Sequence, residues 1–375
     1  MNTEFEDSRG IDKCMVETYS NRRKMSLISR VVDIPLFLHI ESECIEKIGD
    51  ILSQNNLLFK NVLLLSGDTT FKAAGRRVVD ILTGLGKSVD VMRIPDSTIE
   101  TAERVRASIK DSNYNVVIGV GGGKVIDVGK YASNLEGINF ISIPTTVAND
   151  GICSPVSVIS YKKEKRSIIT KTPIGVIADL SIIKDAPIRM IRAGIGDLLS
   201  NISAVKDWEL AREIKGDNFD EFACLLSSRA AESVLISDSN DILSLEFLNK
   251  LVGSLTLSGI SMGIAGSSKP ASGAEHKFSH ALDVISKNPA LHGEQTSLGL
   301  IIATYLRGDD WERFVSIFGH WGIPTKAKEL NISKEEVVKA LIFAPKTRPD
   351  RYTILEHIKI NEKKAIEAAE KTGVI

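Results

Sequence analysis

Between residues 61 and 144 short apolar runs alternate with amphipathic stretches, and this alternation restricts the fold more than any other feature of the chain. Asn61–Ser66 (NVLLLS) is apolar almost throughout and too short for a buried helix, so it reads as a strand buried on both faces. A helical pattern from about Thr70 to Leu85 follows. Ser88–Ile94 (SVDVMRI) is a second strand, Thr98–Lys110 an amphipathic helix and Asn115–Val120 (NVVIGV) a third strand. Val125–Ala132 is then helical, and Asn139–Ile143 is a fourth strand stopped at Pro144. Strands joined by helices pair in parallel through right-handed crossovers. The predicted fold class is therefore α/β plus all-α, beginning with a doubly wound parallel sheet that binds a nucleotide at its strand ends.

Beyond about residue 187 the strand patterns fade and helical ones run to the C-terminus. Pro187 suits the first turn of a helix and marks a boundary. Three segments are expected: a loosely ordered leader at 1–30, a nucleotide-binding α/β domain at 31–186, and a helical domain at 187–375. A ligand cleft should lie between the last two. The chain has 375 residues, more than one core usually holds. Leu251–Ser268 is uncharged but interrupted by Gly and Ser, and is read as a buried helix hairpin rather than a membrane span. Residues 1–25 lack the apolar core of an export signal, so a cytoplasmic location is expected.

The 47 basic and 48 acidic residues nearly cancel, which gives no electrostatic reason to bind nucleic acid or an anionic membrane. An anionic substrate must be held by local cations. Cys14, Cys44, Cys153 and Cys224 are scattered without a CxxC pair, which argues against a disulfide framework or a thiolate zinc site.

Where the third strand meets the next helix the chain reads GVGGGKVIDVGK. Gly121, Gly122 and Gly123 would let the backbone approach a phosphate, with the helix N-terminus adding N–H donors and positive potential. The spacing matches neither GxGxxG nor a Walker A loop, and a tight turn alone would also explain the glycines. Asp68, after the first strand, could accept from ribose hydroxyls. It could equally cap the helix that starts near Thr70.

Three of the six histidines fall close together: His276, His280 and His292. His276 and His280 stand four apart on one helix face. A turn and the start of the next helix could bring His292 opposite His276. Two imidazoles and a carboxylate with open positions make a catalytic site for a divalent metal. Asp197, in AGIGDLLS, is the carboxylate candidate, although an acid at a helix start is also explained by the helix dipole.

These segments carry a resemblance. GVGGGKVIDVGKYAS, SIPTTVANDGICSP, AGIGDLLSNISA, SSKPASGAEHKFSHALD, ALHGEQTSLG and RPDRYTILEH occur in the order found in the sn-glycerol-1-phosphate dehydrogenase branch of the iron-containing alcohol dehydrogenase superfamily. That superfamily also holds glycerol dehydrogenase and 3-dehydroquinate synthase, and the resemblance spans about residues 35–375. It implies a dehydroquinate synthase-like fold, with NAD(P) on the first domain and metal and substrate on the second. It implies that Gly121, Gly122, Gly123 and Lys124 form the loop over the pyrophosphate. Thr145 and Thr146 would lie beside the nicotinamide, and Asp150 would face the substrate hydroxyls. Asp197, His276 and His292 would hold the metal, usually zinc in this branch, and His280 would be a neighbour that does not ligate.

Asn149 stands where the family often has His, which bears on fine substrate specificity. Asp68 stands where the branch often has Pro; because Asp is common in NAD-preferring relatives, NADH should be preferred over NADPH. The implied activity is NAD(P)-linked interconversion of dihydroxyacetone phosphate and glycerol 1-phosphate, with a part in phospholipid synthesis. Its partner is a small phosphorylated polyol or ketone, and a homo-oligomer is expected. Lys269 and Arg348 or Arg351 are candidates for the substrate phosphate. A glycerol dehydrogenase-like polyol oxidoreductase and a 3-dehydroquinate synthase-like cyclase or lyase remain alternatives; Asp rather than Glu at 197 speaks mildly against the cyclase.

Overall fold

The alternation between residues 61 and 144 is realised as four adjoining strands at one end of a parallel sheet. The computed structural model describes residues 32–162, 164–237, 239 and 241–375. The leader expected at 1–30 and Cys14 lie outside the described residues. In chain order the strands are β1 Phe37–Glu41, β2 Asn61–Ser66, β3 Ser88–Arg93, β4 Val116–Gly121, β5 Asn139–Pro144, β6 Val156–Tyr161, β7 Glu164–Ile169 and β8 Gly175–Asp179. Six of them form one sheet in the order β1-β8-β5-β4-β2-β3, with every pair parallel. The main helices are α1 Ile99–Lys110, α2 Gly123–Glu136, α3 Ile188–Lys215, α4 Leu245–Ala265, α5 Ala274–Ile285 and α6 His292–Arg307.

The central strands are buried on both sides because their residues alternate between two cores. Val62, Leu64, Ile118 and Val120 pack with Val78 and Leu82 of the helical stretch after β2. Leu63, Leu65 and Val117 pack with Val105 of α1 and Ile126 of α2, in a core continuous with the C-terminal helices. The connection leaves β2 toward β3, whereas that from β4 leads to β5 on the other side. The strand order thus reverses between the carboxyl ends of β2 and β4, where open α/β sheets place their ligands. Ser66 Oγ ties the two ends by donating to the Val120 carbonyl at 2.8 Å.

Several boundaries differ from expectation. Gly123 is already helical, so α2 starts two residues before Val125 and ends at Gly137, whose φ of 67° closes it. The helical stretch after β2 starts at Asp68 with Gly67 as its cap residue, so Asp68 is not the cap. Leu251–Ser268 is no hairpin. It lies largely within α4, a single helix closed by Gly266 at φ 62°. Its internal glycines do not break it; Gly259, for example, admits the backbone of Cys153 and Ser154. No described helix is long and apolar enough to cross a membrane. The antiparallel hairpin β6–β7, inserted between β5 and β8, was not anticipated.

Cys44, Cys153 and Cys224 are buried and unpaired, and burial pushes each thiol up to about 12. The thiolate is the reactive form, so at pH 8 these three should be alkylated by iodoacetamide at least about 100-fold more slowly than a free thiol. Timed alkylation read by mass spectrometry checks this. Fast labelling of any of the three in the folded protein would contradict it.

Candidate metal centre

Asp197, His276 and His292 come together although they belong to three helices, α3, α5 and α6. Their ligand atoms all lie within 4.8 Å of one another. Asp197 Oδ1 is 3.7 Å from His276 Nε2 and 3.5 Å from His292 Nε2. Ligands at about 2.1 Å from a tetrahedral ion stand roughly 3.4 Å apart, so the donor set fits a divalent cation.

Asp197 is buried in the third turn of α3, not at a helix start. The dipole explanation for this acid therefore falls away. Gly194 and Gly196 look like helix breakers, but they serve close crossings. A Cβ on Gly196 would stand 2.0 Å from Ser297 Oγ and 2.4 Å from the Gly293 carbonyl oxygen. A Cβ on Gly293 would stand 1.8 Å from the carbonyl oxygen of Ala193. The bare backbones let α3 and α6 touch, and so bring Asp197 within reach of His292. Arg189 of α3 clamps the same crossing through two hydrogen bonds, 2.6 and 2.7 Å, to Glu294.

Both imidazoles are oriented from behind. His276 Nδ1 lies 3.1 Å from Glu275 Oε1, and His292 Nδ1 lies 2.9 Å from Ser279 Oγ. Ser279 Oγ already donates to Gln295 Oε1 at 2.6 Å, so it accepts from the histidine. With Nδ1 carrying the proton in each ring, each Nε2 presents its lone pair to Asp197. Burial holds His292 well below the ordinary imidazole range, with the charge of His276 acting in the same direction. Burial, then the charge of Asp150, pushes Asp197 up to about 7. A buried carboxylate facing two imidazoles in this way favours the arrival of positive charge.

Glu275 is fully buried. Burial works to raise its pKa, but hydrogen bonds to His276 and Ser203 bring it below the ordinary value. Neither Glu275 nor Ser279 was singled out from the sequence, although both flank His276 in SGAEHKFSHAL. Glu275→Gln and Ser279→Ala should each weaken zinc binding about 10–100-fold, as loss of an orienting partner does. Competition against a chromogenic chelator measures this, and an unchanged affinity in both variants would contradict the orienting role.

Asp150 sits beside the triad, its N–H donating to Asp197 Oδ2 at 3.1 Å. Its Oδ2 accepts from Ser258 at 2.9 Å, and burial pushes its carboxyl up. The loop that carries it is held from beneath by Lys130, a fully buried lysine that sequence reading passed over. Lys130 Nζ donates to the carbonyls of Gly151, Ser154 and Val156 and lies 3.4 Å from Asp127.

The glycine loop lies at the switch point, on the same side. Gly122 is the cap residue of α2, and a Cβ on Gly123 would meet nothing nearer than Asn149 Nδ2 at 3.9 Å. Lys124 is exposed in the first turn. Thr145 is buried with its hydroxyl lacking a hydrogen-bond partner, and its N–H reaches the Gly121 carbonyl at 3.1 Å. Thr146 Oγ1 would lie 3.1 Å from a Cβ on Gly122. An open glycine loop beside an unsatisfied hydroxyl fits a nucleotide lying across it. Asp68 stands at the rim with its side chain 89 % exposed.

Of the expected phosphate cations, two have other duties. Lys269 pairs with Asp217 at 2.6 Å. Arg351 is buried and donates to the Ser272 carbonyl and Ser268 Oγ. His280 lies with its ring 5.9 Å from that of His292. Burial, then His276 and the charges of Arg348, Arg351 and Lys165, push it down to about 3.

Residues 39–187 match the family model for iron-containing alcohol dehydrogenase. The chain is 42 % identical over 348 residues to a glycerol-1-phosphate dehydrogenase, NAD(P)+, of Methanosphaera stadtmanae, covering 92 % of this chain and 99 % of that one. It is 46 % identical over 320 residues to the Pyrococcus abyssi protein of the same name, covering 84 % and 90 %. Among solved structures, glycerol dehydrogenase from Schizosaccharomyces pombe superposes with a TM-score of 0.74 at 20 % identity, over 92 % of this chain and 94 % of that one. Sulfoacetaldehyde reductase from Bifidobacterium kashiwanohense, in complex with NAD+, gives 0.69 at 16 %, over 92 % and 99 %. At such identities the two structures speak for the fold.

Proposed function

The chain belongs to the glycerol-1-phosphate dehydrogenase branch of the iron-containing alcohol dehydrogenase family, and we propose that it interconverts dihydroxyacetone phosphate and glycerol 1-phosphate with NAD(P) as hydride carrier. The observation that carries this reading is the convergence of Asp197, His276 and His292 beside Asp150, below the open glycine loop. Asp197 and the two Nε2 atoms would hold zinc, and Gly121, Gly122, Gly123 and Lys124 the pyrophosphate. When bound, the cation supplies a Lewis acid for the C2 oxygen and the nicotinamide supplies or takes the hydride.

The protein's own groups do the positioning. Thr145 and Thr146 would border the nicotinamide end, where the buried, unpartnered Thr145 hydroxyl would find a hydrogen-bond partner. Asp150, anchored through Oδ2 to Ser258, keeps Oδ1 for a substrate hydroxyl. Its raised pKa suits a group that shares a proton with an alcohol. Arg348 is the cation assigned to the substrate phosphate, now that Lys269 and Arg351 are otherwise engaged. The two segments divide the work: residues 31–186 bind the cofactor and lend Asp150 to the substrate, while 187–375 hold the metal and the rest of the substrate. A cytoplasmic homo-oligomer belongs to the same reading.

The test is NADH oxidation by the zinc-loaded protein with dihydroxyacetone phosphate, followed by chiral analysis of the product. Glycerol 1-phosphate is the expected product. Comparable turnover of unphosphorylated dihydroxyacetone would favour a glycerol dehydrogenase, and no net cofactor turnover would favour a cyclase.

A further inference from the structure

At the carboxyl end of β3, Arg93 lies in register with Ser66 of β2 and therefore next to Asp68. Its Nε is 3.8 Å from Asp68 Oδ1, and its guanidinium lies 3.5 Å from the centroid of the Phe71 ring. Arg76 approaches the same ring at 5.7 Å. Two cations thus gather around one aromatic ring beside a single exposed acid, at the sheet edge next to the nucleotide crevice. The strand-end acid is the group that accepts from a ribose 2′-hydroxyl, and by itself it repels a 2′-phosphate. A nearby arginine offers the opposite: a planar donor fork matched to phosphate. Stacking on Phe71 keeps that fork pre-organised at an otherwise solvated rim.

We propose that Arg93, held on Phe71 beside Asp68, is the group that admits the 2′-phosphate of NADP, so that the two residues serve the two cofactors in turn. With NAD, Asp68 takes the ribose hydroxyls and Arg93 balances its charge. With NADP, the guanidinium takes the phosphate and Arg76 adds positive potential. This rests on the nucleotide reading above, and it limits the NADH preference expected from Asp68 alone.

The experiment measures kcat/KM for NADPH and NADH with dihydroxyacetone phosphate in the zinc-loaded full chain, for wild type, Arg93→Met, Arg93→Lys and Asp68→Asn. In parallel, titration measures Kd for adenosine 2′,5′-bisphosphate and for 5′-AMP, which needs no turnover. Arg93→Met should lower the NADPH/NADH ratio about 10–100-fold, the size of one lost charge-assisted phosphate contact. It should weaken the bisphosphate against 5′-AMP by a similar factor. Arg93→Lys should recover part of both, and Asp68→Asn should raise the ratio. An unchanged ratio in Arg93→Met, or an equal loss for both nucleotides, overturns the proposal. Absence of turnover with either cofactor, while the bisphosphate still binds through Arg93, would instead overturn the assigned reaction and leave this inference standing.

Discussion

Replacing His292 with alanine is expected to strip the protein of bound zinc and to cut kcat/KM at least about 1,000-fold while leaving the fold in place. The site has three protein ligands, and His292 supplies the Nε2 that lies 3.5 Å from Asp197. Two ligands cannot hold the ion through dialysis, and with it goes a Lewis acid worth several kcal/mol of barrier. The fold should survive because the ring sits at the N-terminal residue of α6 and its side chain is 27 % exposed. Its lost hydrogen bond to Ser279 costs about 1 kcal/mol, and Ser279 keeps Gln295. Elemental analysis, turnover and thermal melting together test this. A variant without metal that retains full turnover would remove the triad from the mechanism. His280→Ala is the companion measurement: its ring is adjacent, yet the variant should keep its zinc.

What could be read in the sequence follows from which physical signals are local. The central strands were legible because each is a short apolar run buried on both faces. The hairpin β6–β7 was not, because Ser157 and Ile159 point inward while Lys165 and Arg166 stay in solvent, which reads as a polar loop. β1 and β8 pair although their partners, such as Phe37 and Gly175, lie far apart in the chain, a partnership no local pattern reports. His276 and His292 were suggestive by spacing. Asp197 was a carboxylate candidate read as a helix start, and its true setting, inside the helix and buried, was hidden by two glycines. Glycine within a helix lowers local propensity, so AGIGD resembles a helix start. Its reason is tertiary: a neighbouring backbone occupies the space of the missing Cβ.

That tertiary role yields the second large effect. Gly293→Ala should unload the metal centre without touching any ligand. The new Cβ would sit 1.8 Å from the Ala193 carbonyl oxygen and 2.9 Å from its Cα, so the obstacle is helical backbone in the second turn of α3 and cannot rotate away. Relief requires α6 to withdraw by about 1 Å or more, which carries His292 away from Asp197 and strains the Arg189–Glu294 clamp. Overpacking of this kind costs about 3 kcal/mol or more when the neighbour is rigid. A misplacement of about 1 Å at a catalytic group costs roughly 100-fold in rate. The expected variant is folded at low temperature, melts well below wild type, binds zinc at least about 10-fold more weakly and turns over about 100-fold more slowly. Gly253→Ala is the control. Gly253 lies in α4 with nothing within 4 Å of its would-be Cβ, so this change should stabilise the protein by about 0.5–1 kcal/mol and leave zinc affinity alone. If Gly293→Ala bound zinc and melted like wild type, the closeness of α3 and α6 would not be what brings the carboxylate to the imidazole, and another contact would have to set that distance.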